Sequence, residues 1–122
     1  SMIEQIADYI RAHYAEPLTL DTLLEQIPIS KSWFLRLFRQ YMGTTPYNFL
    51  LSTRMTRAKE LLVLTDFPIG EIARQVGFED ESNFSTRFSS MTGQSPQQYR
   101  KNALKPMRNS PSLQECGSAK QI

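Results

Sequence analysis

Apolar side chains recur every three or four residues along most of this chain, with polar ones between them. Ile3, Ile6, Ala7 and Ile10 share one helical face, and Pro17 limits that first helix. Thr19 caps a second helix with the stripe Leu20, Leu23, Leu24 and Ile27, and Pro28 stops it. Ser30 caps a third, carrying Trp33, Phe34, Leu37, Phe38 and Tyr41, with Gly43 as its end. Thr45-Pro46 opens a longer helix through Phe49, Leu50, Met55, Ala58, Leu61, Leu62 and Leu64, closing near Thr65. The pattern then restarts. Phe67-Pro68 leads into Ile69, Ile72, Ala73 and Val76, ended by Gly77. A turn over Phe78 to Glu81 leads to a helix with Phe84 and Phe88, ended by Gly93. Ser95-Pro96 starts a last short helix with Tyr99 facing inward. Beyond Asn102 periodicity fades among Pro106, Pro111 and several serines, which predicts a disordered tail. No period-two run of β-branched residues occurs, so the predicted fold class is all-α.

The restart is a repeat. At an offset of 50, Ser32 meets Ser82, Phe34 meets Phe84, Phe38 meets Phe88, Gly43 meets Gly93, Pro46 meets Pro96 and Phe49 meets Tyr99. Upstream the offset is 49, pairing Leu20 with Ile69, Leu23 with Ile72 and Ile27 with Val76. One extra residue in the second turn accounts for the change. Each copy reads helix, turn, helix, glycine stop, proline-started helix, which is a duplicated helix-turn-helix unit. In such a unit the first helix braces the second, whose outer face fits a DNA major groove. If Phe34, Leu37 and Phe38 face the core, Lys31, Ser32, Leu35, Arg36 and Arg39 are left outside. An exposed Leu35 between cations suits a thymine methyl.

Charge sharpens this picture. The 122 residues carry a net charge of only +2, with 40% hydrophobic and 21% charged content, and a pI of about 8.8. The charges nevertheless fall in four alternating blocks. Residues 1–29 hold five acids and Arg11 alone, whereas residues 30–59 hold six bases and no acid. Acids dominate again over 60–81, and bases from Arg87 onward. Two basic blocks suggest two contacts with one polyanion. Other classes find no support. One cysteine, Cys116, and one histidine, His13, make neither an internal disulfide nor a clustered metal site, so no metal and no cofactor is expected. No nucleophile–base pair or phosphate-cradling glycine loop points to an enzyme. No apolar run approaches the roughly 18 residues of a membrane span, and no signal-peptide pattern opens the chain. A module that binds an acidic protein partner is the competing class.

The run IGEIARQVGFEDESNFSTRFSSMTGQSPQQYR, Ile69 to Arg100, closely resembles the C-terminal DNA-binding domain of AraC/XylS-type transcription regulators. Arg54-Met55, Ala58, Leu61-Leu62 and Thr65 resemble that family's linker helix, and the resemblance covers about residues 3 to 102. It implies seven helices: a first helix-turn-helix subdomain over 1–44, a linker helix over 45–65 and a second subdomain over 66–102, followed by the tail at 103–122. It implies two recognition helices, near Ser30–Tyr41 and Glu81–Met91, in successive major-groove segments of double-stranded promoter DNA. It further implies a bacterial, cytoplasmic, nucleoid-associated protein, usually an activator working with RNA polymerase. A separate sensor or dimerisation domain is expected in a longer protein, with this domain monomeric by itself.

The candidate base readers are Lys31, Ser32, Leu35 and Arg36 in the first unit, and Glu81, Ser82, Ser85 and Thr86 in the second. Glu81 can accept from cytosine or stabilise a helix N-terminus. The phosphate candidates are Arg39, Arg54, Arg57, Arg87, Ser89 and Arg100. Thr86, Ser89 and Ser90 stand where family members commonly carry bases, with Arg87 displaced by one position. The first unit is therefore expected to read most of the sequence and the second to position. Leu24 and Pro28 replace a usual Ala and Gly in the first unit.

Overall fold

The computed structural model describes residues 1–109, with side chains described through Lys105. Residues 110–122, which include Cys116 and most of the expected tail, lie outside the described residues. Seven helices appear, with no strand among the described residues: α1 Met2–His13, α2 Leu20–Leu24, α3 Lys31–Met42, α4 Pro46–Leu64, α5 Ile69–Gln75, α6 Glu81–Thr92 and α7 Pro96–Asn109. The fold is all-α, with two helix-turn-helix units, α2–α3 and α5–α6, joined by α4.

Local chemistry sets most of the boundaries. Ser1 and Glu4 form a capping box at α1. The hydroxyls of Thr19, Ser30 and Thr45 accept from the N–H groups of Thr22, Trp33 and Asn48, and the Asp80 carboxylate accepts from Asn83. Gly43 and Gly93 close α3 and α6 in the left-handed region, their N–H groups donating to Arg39 O and Ser89 O. Two ends differ from the pattern. α2 stops at Leu24, short of the expected stripe's last residue, Ile27. The N–H groups of Gln26 and Ile27 then donate to the carbonyls of Leu23 and Leu24, tightening the end into 3₁₀-type turns. α7 runs to Asn109, past the expected end at Asn102.

Two aromatic-centred cores hang on α4. The first joins Ile3, Ile6, Ile10, Leu23, Phe34, Phe38 and Leu50. The second joins Met55, Ala58, Leu61, Leu62, Ile72, Ala73, Val76, Phe84 and Phe88. The repeat is visible in the inclined aromatic pairs. Phe34, Phe38 and Phe49 meet at centroid distances of 5.7 and 5.8 Å, and Phe84, Phe88 and Tyr99 at 5.6 and 5.5 Å. Full burial of each phenylalanine contributes about 1.5–3 kcal/mol. Because α4 feeds both cores, its apolar residues fall almost all round it. Leu51, outside the expected stripe, is buried, while Leu64 is 76% exposed at the C-terminal turn. Tyr14 packs against both cores.

Candidate nucleic-acid interface

α3 turns Phe34 and Phe38 fully inward, and Lys31, Ser32, Arg36 and Arg39 then lie exposed along its outer side. No carboxylate lies within 4 Å of Lys31, Arg36 or Arg39 among the described residues. The Arg36 guanidinium lies 5.6 Å from the ring centroid of Trp33, itself 46% exposed. That cation–π contact orients the arginine while leaving its fork free of acceptors. Lys31 sits in the first helical turn, where the helix dipole disfavours a cation. A charge held against that dipole suits an anionic partner.

Leu35 departs from expectation. It is half-buried, packs against the first core and borders an apolar cavity of about 200 Å³ with Ile10, Leu23, Pro46 and Leu50. Its half-burial leaves only the edge of the side chain at the surface. Ser85, its counterpart at offset 50, is also half-buried.

α6 repeats the inward pair with Phe84 and Phe88 and exposes Glu81, Ser82, Thr86 and Ser89. Glu81 folds over α5, with its Oε1 only 3.2 Å from where a Cβ on Gly70 would stand. It sits beside the capping Asp80, so a carboxylate pair meets the positive end of the α6 dipole. Arg87 is exposed and its Nη2 donates to the Tyr47 hydroxyl at 3.2 Å, linking α6 to the first turn of α4.

The remaining phosphate candidates separate sharply. Arg57 is exposed but pairs with Glu60 at 3.0 Å, a contact that raises its pKa further. Arg54 and Arg100 are corrections: both turn onto backbone carbonyls. Arg54 Nε donates to Tyr14 O at 2.7 Å and Nη2 to Glu16 O at 2.9 Å. Burial pushes its pKa below the ordinary range, yet the guanidinium remains the charged donor at neutral pH. Arg100 Nε donates to Leu62 O at 3.0 Å, and its Nη2 to Thr65 O and Phe67 O at 3.2 and 2.8 Å. α1 and α4 both end without glycine, at Tyr14 and Thr65. Each leaves orphan carbonyls, and in each case an arginine from the following long helix takes the carbonyl of the C-cap residue and the carbonyl two residues on. Helix ends lacking a glycine stop were the available signal for these two arginines. Tyr47, exposed in the turn after Pro46, is a further residue of the face that periodicity alone passed over.

These features have relatives. A family model described as a helix-turn-helix domain matches residues 23–102. An uncharacterized HTH-type transcriptional regulator of Staphylococcus aureus is 38% identical over 98 residues, covering 80% of this chain but only 13% of the relative. The C-terminal domain of AraT, a response regulator from Geobacillus stearothermophilus, superposes with a TM-score of 0.79 at 35% identity, covering 83% of this chain and 84% of that one. The DNA-binding domain of the global transcriptional factor AdpA, solved in complex with a target DNA, gives a TM-score of 0.78 at 27% identity over 88% of this chain and 95% of that one. No helix among the described residues is long and apolar enough to cross a membrane.

Proposed function

The chain belongs to the helix-turn-helix family of AraC/XylS-type DNA-binding transcription regulators, and from that premise we propose that it is a bipartite reader of duplex DNA. α3 and α6 enter successive major-groove segments on one face of promoter DNA, about 34 Å apart. α3 reads sequence, with Arg36 as the guanine contact and Lys31 and Ser32 beside it. α6 chiefly positions the protein, through hydroxyls of Ser82, Thr86 and Ser89 and the cation of Arg87. Arg39 contacts phosphate at the far end of α3. The observation that carries this reading is the exposed set Lys31, Arg36 and Arg39, without a carboxylate partner among the described residues, on a helix whose opposite side is anchored by two fully buried phenylalanines.

Within a longer bacterial regulator, this module directs an activator to its promoter, where it works with RNA polymerase in the cytoplasm. Sensing or dimerisation belongs to the rest of that protein. No catalytic step forms part of this role.

Selection of bound duplexes from a random pool at two salt concentrations tests the reading. We expect a motif with two blocks about one helical turn apart, the better-defined block belonging to α3, and affinity that falls steeply with salt. Failure to bind any duplex at low salt would overturn it in favour of a protein partner.

A further inference from the structure

Three segments from different parts of the chain meet at Arg54. The end of α1 supplies the Tyr14 and Glu16 carbonyls that accept from the guanidinium. The middle of α4 supplies the arginine. The turn between α5 and α6 supplies the Phe78 ring, whose centroid lies 5.6 Å from the Arg54 Cζ. The same turn supplies Gly77, at φ +104°, where a Cβ would stand 2.9 Å from Arg54 Cζ and 3.0 Å from the Tyr14 carbonyl oxygen. Only glycine combines that backbone angle with so close an approach.

The location is informative. α1 shares the first core with Phe34 and Phe38 of α3. Phe78 meets Phe84 of α6 with tilted rings, centroids 5.5 Å apart, and lies two residues before the α6 cap, Asp80. A planar fork can bond two carbonyls on one edge and present its face to a ring, which an ammonium cannot do. Arg54 thus ties the frame of the first recognition helix to the entry of the second. Arg100, by contrast, bonds three carbonyls wholly within the second unit's surroundings, at the end of α4 and the approach to α5.

We propose that Arg54 is a positioning residue that sets the spacing of the two half-sites, by holding the end of α1 against the α5–α6 turn. The inference rests on the bipartite reading above. One added base pair between half-sites displaces the second by about 3.4 Å and about 34°. A locked pair of recognition helices cannot follow that displacement, so the wild-type protein loses roughly tenfold in affinity, the worth of a bidentate contact. A protein without the Arg54 tie can follow it.

The test uses the whole chain and a duplex recovered by the selection, with its spacer lengthened or shortened by one and two base pairs. The readout is the ratio of affinities between the best and the altered spacers, which a general loss of stability does not change. Arg54→Met should lower that ratio from roughly tenfold to about twofold, and Arg54→Lys should give an intermediate value. Arg100→Met should keep the wild-type ratio even if its melting temperature falls as far. An unchanged ratio in folded Arg54→Met, or equal flattening in Arg100→Met, would overturn the inference. Should Arg54→Met fail to fold, the Arg54→Lys ratio decides: a wild-type value overturns the proposal and a lowered one supports it. A wild-type protein indifferent to spacing would instead refute the bipartite reading itself.

Discussion

α3 and α6 share one inner design and carry different outer chemistry. Phe34 and Phe38 on α3 correspond to Phe84 and Phe88 on α6, each pair with inclined rings at nearly the same distance and each fully buried. Outside, Lys31, Arg36 and Arg39 of α3 are matched by Glu81, Thr86 and Ser89 of α6. The beginnings differ in the same sense. α6 opens with the Asp80 cap bonded at 2.7 Å and Glu81 behind it, both favourable to the helix dipole. α3 opens with a Ser30 cap bonded at 3.3 Å and a lysine that the dipole disfavours. The start of α6 is the better matched to its helix dipole, whereas α3 carries a cation against its own. Such a mismatch is expected where a surface must bind.

The sharpest way to break this comparison is to attack what the units share. Phe38→Ala and Phe88→Ala should each cost about 3–5 kcal/mol in chemical denaturation, by equal mechanisms. A large inequality would show that the two cores are not equivalent supports. The next contrast lies outside the cores. Arg36→Ala should weaken binding to the selected duplex by about 1–3 kcal/mol and relax the motif at one position, measured by repeat selection. Thr86→Ala should change affinity far less, and Thr86→Arg should steepen the salt dependence by about one phosphate contact. The smallest contrast concerns the caps. Asp80→Ala should cost about 1 kcal/mol or slightly more in thermal unfolding, and Ser30→Ala somewhat less than Asp80→Ala. Equal losses would mean that the shorter bond and the added charge at α6 contribute nothing beyond an ordinary cap.

What the chain disclosed beforehand, and what it hid, follows from distance along the sequence. The buried phenylalanines and the glycine ends are local patterns with a helical period, and their recurrence at offset 50 exposed the duplication. The exposure of Arg36 was legible because its own helix fixes which way it points. Leu35 was misjudged because it flanks the apolar stripe, and its burial depends on Ile10, Leu23 and Leu50 arriving from three other helices. Arg54 and Arg100 read as members of basic blocks. Their partners are backbone carbonyls 33 to 40 residues away, and a carbonyl leaves no mark in the residue alphabet. The expected charge of the basic blocks was therefore larger than the charge free to meet DNA.

The sharing of α4 between both cores has a consequence for how this molecule can change over time. The exposed sets Lys31, Arg36 and Arg39 on α3 and Glu81, Thr86 and Ser89 on α6 contribute to neither core, so substitutions in one set can change that face without disturbing the other. The linker has no such freedom, since Leu50 answers to one unit and Met55, Ala58, Leu61 and Leu62 to the other. Units of this size hardly bury enough surface to stand alone. The two halves are thus separable in their outer faces but inseparable as folded objects.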